Sequence, residues 1–556
     1  MPVITLYRDR FNQYLGKELT TEEIAKWLPW LGTDIEDVGP DYVKVEYNPN
    51  RLDFSSHAGL ARALKGLLGI EVGMPKYEAR PSGIVLNIDP SVEKVRPYAL
   101  AGVVRGLKLD DELVRELMDM QEDLHWGVCR DRRKAAIGLH NLDVLEPPFT
   151  YTTVGPETRF VPLDETREMS MVEILQEHKK GRAYAHLLSH TDRYPVMVDA
   201  KGRIFTFPPI INSELTRVTA ETRNLFIDIT GPSMDAVRNG LNILASALAD
   251  MGGKLETVEV RYPDKTLISP DLTPQEMTLR TEYARELLGL ELTDEDVVEC
   301  LRKSRLDAWV KSEGVIGVRI PAYRIDILHE VDLVEEVALG YGFYRITPTR
   351  PVSTTSGRQH PTIKTMNCVR IIMVGLGFTE AVNFILTNED VHYRMMRLPA
   401  GDAIRLANPA SALYSITRTL LLPGLMQNLA VNRHESYPQR LFEVSDVVVR
   451  RDDAETRTER RVHVAAVSAH ARANYTEIRS YLDALLRSLG LAEWSVSEAT
   501  HPSFLEGRTA KIRINGEEVA VVGEIHPEVS NNFGLETPVA AFELDLEAVM
   551  KYISKD

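Results

Sequence analysis

The chain has 556 residues, with 65 Lys and Arg against 81 Asp and Glu, giving a formal net charge of −16 at pH 7. Hydrophobic residues make up 44% and charged residues 26%, a composition that supports three to five globular domains. No apolar run approaches the roughly eighteen residues of a membrane helix, and the start MPVITLYRDRF lacks a signal-peptide core, so a cytoplasmic chain without membrane contact is expected.

The acidic balance opposes broad non-specific nucleic-acid binding but allows local basic patches. Cys129, Cys300 and Cys368 form no CxxC pair, which argues against a zinc site or a disulfide scaffold. Residues 1–75 read as a small α/β unit. Val3–Leu6 is a strand candidate, Thr20 with Glu23 forms a capping box, and Ser55 or Ser56 caps a helix carrying Leu60, Leu64 and Leu68. The turn chemistry of NPNRLDFSS carries no catalytic expectation.

From 85 to 265 the pattern predicts a larger α+β domain. Strands are expected at Ile84–Ile88, Ala99–Val104, Tyr194–Asp199 and Ile204–Phe207, and helices at Asp110–His125 and Ser170–Lys180. Arg130, Arg132, Arg133 and Lys134 form the densest basic cluster, readable as a solvated turn or as a phosphate-contacting patch. In the strand Leu225–Thr230, Asp228 and Thr230 share one face. With Thr206 on a neighbouring strand they would floor an apolar pocket suited to an aromatic amino acid with a phenolic hydroxyl, or they simply end a strand. No Ser–His–Asp or Cys–His order supplies a nucleophile, so a positioned water is the expected attacking group.

Residues 268–350 read as a small winged or helix-turn-helix-like unit. Thr273 is expected to cap a helical segment with Met277, Leu279 and Ala284, and Thr293 with Asp296 opens the next helix. The stretch VRIPAYRIDILHEVDLVEEVALGYGFYR then predicts an amphipathic helix with Ile327, Leu328, Val331, Val334 and Ala338 on its apolar stripe. Asp332, Glu335 and Glu336 would share one side, with Asp326 near the first turn. Such a cluster is either a solvated acidic face near a helix N-terminus or a site for a hard divalent cation, and oxygen-only ligands favour Mg²⁺ over Zn²⁺.

After a polar linker at 351–360, residues 361–556 predict an α+β domain. TEAVNFILT and IRLANPAS are expected strands, Gly375 and Gly377 mark a helix end, and Asn515–Gly516 a hairpin turn. A Walker-type phosphate loop is missing, which leaves a Mg²⁺-dependent phosphoryl-transfer enzyme without its clamp.

Taken in order, YRIDI…DLVEE followed by Gly340–Tyr341–Gly342, the HWGVCRDRRKAAIGLHNLD segment, PPIIN…FIDITG, and the late RLFEV and GEIHPEV pieces resemble the β subunits of the phenylalanine–tRNA ligase family, archaeal and eukaryotic cytosolic type. The resemblance spans essentially the whole chain. It implies an α+β multidomain fold: an editing-type domain at 85–265, a winged/helix-turn-helix-like domain at 268–350, and a class II synthetase-like antiparallel sheet without catalytic motifs at 361–556. It implies Mg²⁺ ligands at Asp326, Asp332, Glu335 and Glu336, and an editing pocket placed by motif at Val196, Thr206, Asp228 and Thr230. It also implies an α subunit bearing the ATP-using synthetic site, an α₂β₂ heterotetramer, and tRNA(Phe) as partner. Arg418, Glu443 and Arg508 are expected to be scaffold rather than ATP-binding residues. The competing reading is a free-standing aminoacyl-tRNA deacylase.

Overall fold

The computed structural model describes residues 2–352 and 354–553. The chain divides into two units, Met1–Arg350 and Pro351–Asp556, which meet at the polar linker expected from composition.

In the first unit, a three-stranded sheet orders Val3–Tyr7, Tyr42–Glu46 and Asp34–Val38. The capping box of Thr20 and Glu23 opens the helix Thr21–Trp27, and the Ser56 hydroxyl accepts from Gly59 N at 3.1 Å to open His57–Leu67. The apolar side chains of this sheet share one continuous core with those of the next, from Ile4 through Val260.

The next sheet has ten strands. Along its main path lie Ile211–Asn212, Ile204–Phe207, Tyr194–Val198, Phe149–Val154, Ala79–Ile88, Lys254–Arg261, Tyr98–Arg105, Leu225–Gly231 and Ala136–Asn141; Thr266–Ser269 pairs with Lys254–Arg261 off that path. The sheet curls until its ends approach, and the Asn212 side-chain amide donates to Leu139 O at 3.2 Å across the gap. Leu225–Gly231 is buried along its whole length. Ile229 lies on the face that meets the helix Met234–Asp250, where a Cβ on Gly240 would stand 3.3 Å from its Cδ1. Phe226, Asp228 and Thr230 alternate to the opposite face, where Phe149, Phe205 and Phe226 pack edge to face at 4.6–5.9 Å.

A third sheet, ordered Gln275–Arg280, Val315–Ile320, Asp307–Ser312, packs with the helices Thr281–Leu288, Asp294–Lys303 and Glu330–Tyr341 around a core from Leu279 to Val337. The segment around Met277 and Leu279 is therefore a strand, not the expected helix. Its residues alternate against Val315–Ile320 in antiparallel register, and helix begins only at Thr281.

The second unit is built on a seven-stranded sheet, antiparallel except at one edge, where Thr379–Glu380 runs parallel to Gln439–Arg450. Both faces are covered. Val464 and Ala466 point into one core, Ala465 and Val467 into the other. The expected strand TEAVNFILT is only two short pieces, Thr379–Glu380 and Leu386–Thr387, and IRLANPAS contributes a single bridge from Arg405 to Ile416. Between those pieces Val382 and Phe384 are 82% and 77% exposed, so no apolar burial holds the segment in a sheet.

Candidate functional site

A cleft of about 470 Å³ opens where the ends of the curled sheet meet. Thr206 and Asn212 come from one end of the sheet order, and Gly138 and Asp228 from the other. Thr206 is thus not on a strand neighbouring Asp228. Curling, not adjacency, brings them together. The walls include Ile137, Leu163, Pro208, Ile210 and Ile211, and the rim carries Lys179, Lys180 and Asp164. A volume of this size takes one amino-acid side chain together with part of its attached group.

Asp228 is 1% exposed and is fixed by His140, whose Nε2 lies 2.7 Å from Oδ1. The Nδ1 of His140 lies 2.8 Å from the Thr216 hydroxyl. With Nε2–H donated to the carboxylate, Nδ1 accepts from Thr216. This Thr216–His140–Asp228 chain is the hydrogen-bonded order that sequence reasoning missed, because its members lie 76 and 88 residues apart. It runs the wrong way for a nucleophile. The hydroxyl end is 1% exposed in the interior and the carboxylate end faces the cleft. The chain therefore aims a carboxylate and holds it still. Gly138 is required beside it, since a Cβ there would stand 2.2 Å from Asp228 Oδ1 and 2.6 Å from His140 Nε2.

Two of the four motif-placed residues, Thr206 and Asp228, line the cleft, with the Thr206 hydroxyl donating to Asn212 Oδ1 at 3.1 Å. The other two do not. Thr230 is fully buried one step further along the strand, with its carbonyl accepting from Arg96 Nη2 at 2.8 Å. Val196 is fully buried in a satellite core with Phe207. Register explains this: Thr206 pairs with Met197, so Val196 projects from the other face of its strand.

The basic cluster splits. Arg132 is buried and forms part of the cleft wall, donating to Pro209 O and Ile210 O at 3.0 Å each and to Glu122 at 3.0 Å, with its guanidinium 4.4 Å from the Tyr184 ring. Arg130, Asp131 and Arg132 all have positive φ, of 50°, 52° and 62°, a strained left-handed run that the buried bonds of Arg132 hold in place. Arg130, Arg133 and Lys134 are exposed.

The acidic stretch is arranged differently from the expected one-sided cluster. The helix starts at Glu330, so Asp326, Ile327 and Leu328 precede it. Leu328 and Val331 are 68% and 46% exposed, while Ile327, Val334 and Ala338 of the expected stripe are buried and Leu333 and Val337 join them. Glu336 is buried, whereas Glu335 faces solvent. Arg324, itself buried, donates to Asp326 at 2.9 and 2.7 Å and to Glu336 through both terminal nitrogens. Asp332 accepts from the backbone N–H groups of Leu328 and His329 at 2.7 Å each, closing the helix start.

Burial opposes the charge on Asp326, but Arg324 outweighs it and holds the carboxyl below its usual range. Among the described residues Glu335 alone of the four has neither a side-chain hydrogen bond nor an ion pair, and partial desolvation, then the charges of Glu336 and Asp326, push its carboxyl up. Among the described residues no three His, Cys, Asp or Glu side chains are grouped to hold a metal ion. The oxygen-only donor set has the chemistry for Mg²⁺, but in this arrangement the Arg324 guanidinium, not a metal ion, neutralises two of the four carboxylates.

The NPNRLDFSS turn takes part in the same charge network. Arg51 donates to Asp53 at 2.9 and 3.0 Å, and the Arg62 guanidinium lies 3.8 Å from the Tyr323 ring. Although burial raises it, the Asp53 carboxyl is brought down to about 2 by Arg51, Arg62 and Arg324. The opposite charges two residues apart in the turn were the available signal.

In the second unit, Arg418 Nη1 and Glu443 Oε1 form a buried ion pair at 2.7 Å, and Glu443 also accepts from the Asn383 amide. Exposed Arg508 pairs with Glu524 at 2.9 Å. Phe384 and Tyr414 meet edge to face at 5.8 Å and stand exposed with Val382 and Leu413.

Two family models match: the phenylalanyl tRNA synthetase beta chain CLM domain over residues 346–546 and the tRNA synthetase B5 domain over 277–343. The chain is 46% identical to the phenylalanine–tRNA ligase beta subunit of Archaeoglobus fulgidus over 99% of its length and 98% of the relative's. The chain belongs to the phenylalanine–tRNA ligase beta-subunit family. The Methanothrix thermoacetophila member is 44% identical over 98% of this chain and all of its own. Among solved structures, an N-terminal fragment of the Pyrococcus horikoshii phenylalanyl-tRNA synthetase beta subunit superposes with a TM-score of 0.60 at 37% identity, covering 61% of this chain and 99% of the fragment. The α+β multidomain fold agrees with that membership.

Proposed function

We propose that this chain is the β subunit of a phenylalanine–tRNA ligase. With an α subunit it attaches phenylalanine to tRNA(Phe) using ATP, and in its own cleft it hydrolyses tyrosine wrongly attached to that tRNA. The observation that carries the hydrolytic part is the Asp228 carboxylate, aimed by His140 into an apolar-walled cleft. An apolar synthetic site rejects an analogue with one added hydroxyl by only about a hundredfold, so a second site that reads the hydroxyl is needed. Asp228 and Thr206 are the polar atoms that read it, and Thr230 and Val196 act from behind the wall. A positioned water is the attacking group, because the cleft offers no activated hydroxyl or thiol.

The synthetic chemistry belongs to the partner. In this chain Arg418 and Glu443 pair with each other in the interior and are not open to a nucleotide. The exposed apolar face around Phe384 and Tyr414 fits a protein partner, and counts against a free-standing deacylase. The class II-like sheet, the winged-helix-like unit at 268–350 and an α₂β₂ assembly belong to the same reading.

For Mg²⁺, unpaired Glu335 is the entry ligand, and Asp326, Asp332 and Glu336 complete the set only where Arg324 and the two capped amides give way. Bound there, Mg²⁺ would neutralise the acidic stretch. The deciding experiment is hydrolysis of Tyr-tRNA(Phe) by the wild-type chain and by Asp228→Ala and Thr206→Val. Intact hydrolysis in both variants would remove the cleft assignment.

A further inference from the structure

A second cleft, of about 690 Å³, lies elsewhere in the first unit and takes no part in the proposed hydrolysis, although its wall residue Arg62 belongs to the charge network around Asp53. Its floor is the end of three adjacent strands, where Lys254 pairs with Arg105 and Glu256 with Arg80. The helix His57–Leu67 and residues 71–78 form its walls. Seven Lys and Arg line it against four Asp and Glu, the reverse of the balance in a chain of net charge −16.

Four of the seven cations are held by acids: Arg62 by Asp250, Lys65 and Arg305 by Glu71, and Arg105 by Glu256. The remaining three, Lys76, Arg80 and Lys254, are exposed, and their side chains have neither ion pair nor hydrogen bond among the described residues. Arg305 adds an independent sign. It is 7% exposed, lies against the cleft, and its buried Nε has no hydrogen-bond partner. A buried guanidinium N–H without an acceptor is costly, and a bound anion would supply one.

We propose that this cleft binds a phosphate-bearing ligand, with Lys76, Arg80 and Lys254 as phosphate contacts and Arg305 Nε as the interior donor. Two sources share that chemistry: the phosphodiester backbone of RNA and a free nucleoside polyphosphate. The size suits either one nucleotide or a short backbone segment. In either case the three free cations supply charge that the ion-paired ones cannot, and Arg305 adds geometry.

The test compares the full-length chain with a Lys76→Glu, Arg80→Glu, Lys254→Glu variant, and with the milder Lys76→Ala, Lys254→Ala variant should charge reversal impair folding. Unmodified tRNA transcript is titrated by anisotropy and sodium tripolyphosphate by calorimetry. The expected result is at least a tenfold loss of affinity for one probe in the reversal variant. If that probe is tRNA, the log–log salt slope falls by about two to three, close to one per lost phosphate contact. Loss confined to tRNA assigns the RNA backbone, and loss confined to tripolyphosphate assigns a free polyphosphate. If the wild-type chain binds neither probe, or binds both as tightly after substitution with an unchanged salt slope, the proposal is overturned. Hydrolysis of Tyr-tRNA(Phe) reports on the other cleft, so the two readings fail separately.

Discussion

Gly138→Ala is the sharpest perturbation of the proposed hydrolytic cleft. The new methyl would stand 2.2 Å from Asp228 Oδ1, 2.6 Å from His140 Nε2 and 3.0 Å from Asp228 Cγ. Ordinary contact begins at 3.4 Å, so the carboxylate must move by about 1 Å. Neither partner has room, since Asp228 and His140 are 1% and 0% exposed. Overpacking costs about 1–3 kcal/mol, and losing the 2.7 Å His140–Asp228 bond costs about 1.5–3 kcal/mol more. A displacement of this size at a reacting centre lowers its rate by about a hundredfold. The assay pairs urea unfolding with hydrolysis of Tyr-tRNA(Phe) and charging by the assembled enzyme. Expected are a loss of several kcal/mol, near-complete loss of hydrolysis, and charging close to wild type. A Gly138→Ala protein with wild-type stability and hydrolysis would refute the role given to the Asp228 carboxylate.

Arg324→Met leaves Asp326 and Glu336 facing each other without their cation. By the usual cost of breaking a buried pair it should lose about 3–5 kcal/mol at pH 7, and part of this should return at pH 5, where the orphaned carboxyls protonate; equal losses at both pH values would contradict the network. Asp53 has its carboxyl lowered to about 2 from 3.8, so it contributes stability above pH 4 that is lost as pH falls towards 2. At about 1.4 kcal/mol per pKa unit this is worth roughly 2 kcal/mol, and Asp53→Asn should flatten the acid limb of the stability curve by that amount. Adding Mg²⁺ should raise the melting temperature of the wild-type chain and not that of Glu335→Gln; equal shifts would remove Glu335 as a ligand. Burial pushes the Cys129 thiol up to about 12 and Cys300 up to about 11, while Cys368 is exposed, so iodoacetamide at pH 8 should label one cysteine per native chain by mass spectrometry.

Local signals were legible wherever the cause is local. The capping boxes at Thr20, Ser170 and Thr293 open helices at the expected residues, and Asn515 and Gly516, with φ of 49° and 86°, make the expected hairpin. The expected strands of the large sheet formed, but where only a partner strand decides between helix and strand, the reading failed. Met277 and Leu279 fit a helical stripe equally well until a partner strand fixes their alternation. Of the candidate site, the motif named Asp228 and Thr206, which share one cleft, but their meeting depends on the curl of a ten-stranded sheet, and His140 and Thr216 join them only across long sequence separations. In the acidic stretch, spacing alone does not show that Arg324, inside the motif, pairs with Asp326 and Glu336.

The central claim is best tested with the chain assembled with its α subunit, by following charging of tRNA(Phe) with phenylalanine and hydrolysis of Tyr-tRNA(Phe) in the same preparation, for wild type and Asp228→Ala. The account predicts charging only when both subunits are present, and an Asp228→Ala complex that still charges but no longer hydrolyses. Charging by this chain alone, or hydrolysis that survives Asp228→Ala, would contradict it.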